Sequence, residues 1–348
     1  MSYSQADRQP NISACELPTA DDSASRRRAR RRVFKRARRS VLPLIASAVT
    51  ATISILPRRV AIRIGSLLGD VCYVLCGPLR RRVASQVEFA LESEFDRARR
   101  RVIARGVFRH FAQLIFELPV LARWGEARIL RDLQVDGRTE LEAALTSLLQ
   151  HGRGVIVLTA HFGNWELVPS CVNPRSREAT YIARRYRVVG YQRLVERMRK
   201  RLSSCEVLYQ DQPLMAAVRR LRENRPVGML SDVDAKQVPG IFLPFFGRAA
   251  YTVETPAKLC LKFDTPILPL YCVRVAAGYR LITGRPIVRE DVAGAADPVL
   301  EITRAWSAQL EAVIREYPEQ WIWMHKRWHT TPEILARRQQ QAESLTNA

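Results

Sequence analysis

Over residues 155–159 the chain reads Val-Ile-Val-Leu-Thr, apolar and β-branched with no alternation, the pattern of a strand covered on both faces of a sheet. Around it, apolar runs of strand length alternate with stretches of helical period. Strands are predicted near 133–135 and at 155–159 and 180–183, with helices over 139–150, from Asn164 onward, and over 189–202. A helix over 214–224, a strand over 226–230 and an aromatic strand and turn over 240–248 follow. Next come a helix over 251–263 capped by Thr252, a hairpin of 267–275 and 279–283 around Ala276-Ala277-Gly278, and a helix over 299–317. The fold class that follows is α/β, a mixed, largely parallel central sheet flanked by helices. Such sheets carry their chemistry beyond the carboxyl ends of their strands.

Ahead of the sheet, Val102, Val107, Phe108, Phe111, Leu114, Ile115 and Leu118 recur at helical spacing. They predict a long amphipathic helix over 96–124 that packs the α/β part against the preceding segment. Glu117, within it, reads as a solvated or hydrogen-bonded side chain. The preceding segment opens with an uncharged run over 41–56, ended by Pro57, and continues with a second apolar helix over 60–76 edged by Arg58, Arg59, Arg63 and Arg80 to Arg82. The first run falls short of the roughly 20 residues of an upright membrane span. It reads as an uncleaved signal anchor or an interfacial helix, an N-terminal membrane-associated segment, with spanning and flat placements both open. Residues 1–25 are polar and aperiodic, and ten of the residues from Arg26 to Arg39 are Lys or Arg, which the positive-inside bias holds on the cytoplasmic side. The expected organisation is a disordered polybasic tail (1–40), membrane-anchoring or interfacial helices (41–80), an α/β domain (81–330) and a C-terminal tail (331–348).

Composition sharpens the choice of partner. A hydrophobic content of 47% in 348 residues is ample for a core, while a formal net charge of +22 points to acidic partners: nucleic acid, an anionic membrane surface, or an acidic protein or lipid. Seven cysteines without C-x2-C pairs argue against a disulfide scaffold and a structural zinc site. Cys72 and Cys76, four apart in an apolar helix, are expected to pack inside. No G-x4-G-K-[ST] or G-x-S-x-G occurs, which removes the simplest nucleotide-binding and serine-hydrolase readings.

The strongest chemical candidate follows the central strand as Ala160-His161-Phe162-Gly163-Asn164-Trp165-Glu166. On one continuous helix His161 and Glu166 would be rotated roughly 140° apart, so they meet only across a turn. Gly163 permits one, and Asn164 is a favoured N-cap. Glu166 then orients His161 as a general base, or the two merely cap a helix. Beyond 183 comes Arg184-Arg185-Tyr186-Arg187, a solvated basic loop or a guanidinium site for phosphate or a polarised acyl oxygen, with Arg185 the rival of Arg184. Beyond 230 come Asp232 and Asp234, a pair that suggests Mg²⁺. Phe245 and Phe246, in the aromatic stretch that closes with Arg248, are either core or the wall of an acyl-chain channel. His325, with no carboxylate at a matching spacing, reads as structural.

The His161–Glu166 stretch resembles the H-x4-D/E motif of the bacterial lipid A biosynthesis acyltransferase family, the late lauroyl and myristoyl transferases and their phosphatidylinositol-mannoside acyltransferase relatives. Gly228 to Asp234, Gly240 to Arg248 and Trp321 to Trp328 fit the same family in the same order, over about residues 40 to 330. The resemblance implies a fatty acyl transfer from acyl-carrier protein, or acyl-CoA, to a hydroxyl of a phosphorylated glycolipid, a lipid A precursor, at the cytoplasmic face of the bacterial inner membrane. It implies a catalytic set of His161, Glu166, Arg184 and Asp232, with Asp232 as a support rather than a metal ligand, and no metal or other cofactor. Asn164, Arg185, Phe245, Phe246 and Arg248 are the expected substrate-binding residues. Val233 departs from the family's more usual polar residue. Three rivals stand beside this reading: acylation of another lipid acceptor, a basic nucleic-acid-binding protein that uses the 26–39 arm, and an inert membrane scaffold.

Overall fold

The computed structural model describes residues 41–172, 179–212, 214–235, 237–337 and 340. The polybasic tail and the end of the C-terminal tail lie outside the described residues.

The helical part runs α1 (Val41–Ser54), α2 (Arg58–Leu75), α3 (Gly77–Leu91), α4 (Arg97–Trp124) and α5 (Glu126–Asp132). α4 starts where the Asp96 carboxylate accepts from the backbone N–H of Arg99 at 2.7 Å. Its inward face carries Ile103, Val107, Phe108, Leu114 and Leu121, whereas Val102 and Ile115 of the expected stripe are exposed. α2 lies along α4 with Ala61, Gly65 and Gly69 inward, and a Cβ at Gly69 would meet the Arg109 Cα at 2.6 Å. Small residues thus let the two backbones approach. Cys72, in the last turn of α2, and Cys76, just past its end, are both exposed, contrary to the expectation of buried packing. Between α2 and α3 the chain bends by 95°, and among the described residues no single helix is long and apolar enough to cross a membrane.

The α/β part follows as β1 (Val135–Asp136), α6 (Arg138–Leu149), β2 (Val155–Thr159), α7 (Val168–Val172), β3 (Thr180–Ala183), α8 (Val189–Leu202), β4 (Glu206–Tyr209), α9 (Leu214–Arg222) and β5 (Pro226–Leu230). It closes with β6 (Gly240–Phe245), β7 (Arg248–Val253), α10 (Thr255–Phe263), β8 (Ile267–Arg274), β9 (Tyr279–Thr283) and α11 (Pro298–Glu316). Seven strands form one sheet in the order β1-β9-β8-β2-β5-β3-β4. The run from β8 to β4 is parallel throughout, and the β8–β9 hairpin turns the other edge antiparallel. All five residues of β2 are buried, as a central strand without alternation requires.

Two expectations fail for identifiable reasons. The helix expected over 251–263 begins only at Thr255, because Tyr251, Thr252 and Val253 alternate in β7 and pair with β6 in the register Gly240↔Val253. Thr252 therefore caps nothing; its Oγ1 accepts from the Arg327 guanidinium at 2.6 Å. The edge strand β4 gave no period to read, since it is four residues long and pairs with β3 alone.

Candidate active site

β2 and β5 are neighbours, parallel, and in the register Thr159↔Leu230. Two residues beyond each strand end stand His161 and Asp232, so the pairing of the strands brings the two side chains together. The His161 ring Nδ1 lies 2.9 Å from Asp232 Oδ1, and the His161 backbone N–H donates to Asp232 Oδ2 at 3.0 Å. Trp321 Nε1–H donates to the same Oδ2 at 2.9 Å. Asp232 is buried and accepts from all three donors. Burial disfavours its charge, but the charge and hydrogen bonds of His161, with the Trp321 bond, outweigh that and hold the carboxyl at about 2. Burial likewise pulls the imidazole down, and the Asp232 charge and hydrogen bond, with a contribution from Glu166, leave it raised above its ordinary value. A neutral His161 donating Nδ1–H to Asp232 presents Nε2 as a base.

Glu166 does not orient His161 directly. It sits in a short 3₁₀ turn, Trp165–Leu167, that aims it at α8, where Arg199 Nε and Nη2 hold its two oxygens at 2.8 and 2.5 Å. The expected partnership is replaced by a two-point ion pair beside a separate His161–Asp232 pair. Arg199 was not singled out from the sequence because it is one of many cations on a basic helix.

The loop that carries His161 is clamped on both sides. Residue 163 has φ +57°, and a Cβ there would meet the Cys272 carbonyl oxygen at 2.0 Å, so glycine is required. The N–H groups of Gly163 and Asn164 donate to Gln320 O and Cys272 O, and the His161 carbonyl accepts from Ile322 N–H. With His161 N–H on Asp232 and Phe162 N–H on Ala160 O, the amides of 161–164 are committed inside the protein. Asn164 stands at the N-cap of the 3₁₀ turn, where its carbonyl accepts from Leu167 N–H, but its side chain makes no cap hydrogen bond; it is buried and donates to the Tyr279 hydroxyl at 3.0 Å.

That hydroxyl belongs to a second buried network. Glu117 is fully buried and accepts from Arg58 at 2.6 Å and from Arg274 and the Tyr279 hydroxyl. Burial opposes its charge, yet Arg274 and Arg58 keep its pKa below the ordinary value. It is thus hydrogen-bonded and not solvated. His110 Nε2 lies 3.1 Å from the Gly163 carbonyl, and burial, with the Arg274 charge, pulls that imidazole down to about 4. These contacts tie α2, α4, β8 and β9 to the His161 loop.

The remaining candidates scatter. Arg184 is exposed immediately after β3, at the same sheet edge as His161. Arg185 is drawn to β4, where it binds Asp211 at 2.9 Å and lies 3.9 Å from the Tyr209 ring centroid. Phe245 and Phe246 are core, packed on Trp321, Trp323 and Trp328. Arg248, at the hairpin end, lies over Phe89. The two acids of the Asp232 segment diverge: Asp234 accepts from the backbone and hydroxyl of Thr330, both at 2.6 Å. His325, expected to be structural, has its ring centroid 5.4 Å from that of His161; burial and the His161 charge lower its pKa. Among the described residues no group of His, Cys, Asp and Glu is arranged to hold a metal ion.

Comparison with known proteins adds a consistent picture. The family described as bacterial lipid A biosynthesis acyltransferase matches residues 32–330. The chain is 29% identical over 189 residues to a phosphatidylinositol mannoside acyltransferase of Mycolicibacterium smegmatis, covering 53% of this chain and 60% of that protein. It is 27% identical over 221 residues to the protein of the same name in Mycobacterium tuberculosis, covering 62% and 65%. Against a lipid A biosynthesis palmitoleoyltransferase of Escherichia coli it is 24% identical over 263 residues, covering 73% and 81%. The chain therefore spans less than two thirds of the length of the two mycobacterial relatives.

Proposed function

Because the chain belongs to the bacterial lipid A biosynthesis acyltransferase family, we propose that it transfers a fatty acyl chain from a thioester donor, an acyl-carrier protein, to a hydroxyl of a phosphorylated glycolipid. The observation that carries the mechanism is the contact of His161 Nδ1 with the ionised, buried Asp232 at 2.9 Å. It fixes the tautomer and leaves Nε2 to take the proton of the acceptor hydroxyl. The hydroxyl oxygen then bonds to the thioester carbonyl carbon, the C–S bond breaks, and the departing thiolate recovers the proton from the imidazolium. The developing imidazolium is stabilised by Asp232 directly and by the Glu166 carboxylate at longer range, with the Arg199 charge opposing it.

Because the amides of 161–164 are committed to internal acceptors, the oxyanion or a substrate phosphate is assigned to a side chain, the exposed guanidinium of Arg184 at the same edge. The catalytic set of the proposal is His161, Asp232, Glu166 and Arg184. The enzyme works from the cytoplasmic face of the inner membrane, a placement supported by the exposed Leu67, Leu68, Val71 and Leu75 of α2 among flanking arginines.

Two acceptor classes divide the relatives by name, lipid A and phosphatidylinositol mannosides, so both enter the test. The detergent-solubilised protein is offered labelled acyl-carrier thioester with a phosphorylated disaccharide lipid or with a phosphatidylinositol mannoside. Label in the disaccharide supports the lipid A assignment. Label only in the mannoside reassigns the acceptor, and none in either sinks the proposal.

A further inference from the structure

β3 and β4 are adjacent and parallel, and both run toward the edge of the sheet where β2 delivers His161. Each is followed by a helix that must begin at that edge, α8 at Val189 and α9 at Leu214. The starts of these helices are apolar and uncovered: Val189 is 62% exposed, Leu214 47% and Met215 56%, and Tyr186 in the loop ahead of α8 is 50% exposed. Their last turns expose cations instead, Lys200 and Arg201 in α8 and Arg219 and Arg222 in α9. Large apolar side chains in water are thus gathered at one end of two separate helices, the end that flanks the catalytic pair.

α1 reaches the same edge. Gly190, in the first turn of α8, lies against Pro43 so closely that a Cβ there would meet the Pro43 Cβ at 2.4 Å. At the other end of α1, Ile53 is buried with Ala61 and Val120. With both ends seated on the protein, this helix of roughly 21 Å lies along the surface and does not stand away from it. It carries Leu44 outward, 70% exposed, beside the start of α8. Arg184 and Arg187 add exposed cations next to the apolar group.

We propose that these side chains form a rim that dips into an anionic lipid leaflet around the opening to His161, with α1 lying in the plane of that leaflet. The apolar residues insert among the acyl chains, and the arginines meet the phosphates. An acidic carrier protein would match the arginines but gives no use to four exposed apolar residues at helix starts. Resting on the acyltransferase reading, the rim also gives the acceptor a route: the lipid enters sideways from the leaflet without leaving it.

The test is vesicle flotation of the full chain, which needs no acyl transfer and so stands or falls apart from the proposed activity. Vesicles of phosphatidylethanolamine with phosphatidylglycerol are compared with phosphatidylcholine alone, for the wild type, V189D, and a variant carrying L214D and M215D. V102D, an exposed apolar residue on α4 outside the rim, is the control. The expected result is a fall in partitioning to the anionic vesicles of at least about tenfold for the rim variants and wild-type partitioning for the control, with melting curves unchanged. Wild-type partitioning by the rim variants overturns the proposal, and so does an equal loss in the control. Intact flotation of the rim variants with weakened binding to an acyl-carrier protein would assign the surface to that protein instead.

Discussion

Arg199 holds Glu166 by both carboxylate oxygens, at 2.8 and 2.5 Å, while the imidazole of His161 belongs to Asp232. The two carboxylates that the fold places near the histidine therefore have different tasks. One holds the imidazole, and the other anchors a cation beside it.

Asp232→Asn is expected to lower turnover by about 10² to 10⁴, because the amide either presents the wrong donor to Nδ1 or leaves the imidazolium unstabilised. Glu166→Gln keeps the His161–Asp232 contact and is expected to cost less. Turnover of the two purified variants under one set of conditions decides the order; a larger loss for Glu166→Gln would restore it as the direct orienter.

The pH profile follows from the raised pKa of His161. The base works when neutral, so kcat/KM rises with pH through an inflection above the ordinary histidine value of about 6.5. Asp232→Asn removes the charge that raises it and shifts the inflection to lower pH. An inflection that stays in place in this variant would assign the acid limb to another group.

Arg199→Ala leaves the Glu166 carboxylate partly buried and unpaired. The two side chains are 17% and 15% exposed, between the exposed and fully buried cases, so a loss of about 1–3 kcal/mol in unfolding free energy is expected. Denaturant titration measures it, and an unchanged midpoint would show the pair to be incidental.

Much of this architecture was legible beforehand, and the reason is visible in the residues. β2, β3, β5 and α8 have the bounds their apolar pattern predicts, because a buried strand or an amphipathic helix declares its own period. The site was legible only in part. His161 stands out because it ends a buried strand. Its true partner lies 71 residues away, joined by the Thr159↔Leu230 register that no local spacing reveals. Arg199, Tyr279 and Trp321 reach the site through other contacts distant in sequence, with Glu166, Asn164 and Asp232. A short, one-sided strand such as β4, and a β7 whose Tyr-Thr-Val also suits a helix start, carried too little period to be told apart.

Gly163→Ala tests the clamp on the catalytic loop. A methyl group at φ +57° and 2.0 Å from the Cys272 oxygen forces the loop to move, at a cost of about 1–3 kcal/mol from the backbone alone. Both stability and turnover should fall. Full activity with native stability would mean that the loop has slack the contacts do not show.

The central claim is that His161 is the base of an acyl transfer, and the most direct measurement compares the solubilised wild type with His161→Ala. Both are given labelled acyl-carrier thioester and the acceptor that the wild type uses, with melting curves to confirm the fold. The account predicts a loss of about 10² to 10⁴ in transfer by a variant that remains folded. Transfer at the wild-type rate by the folded variant would contradict it.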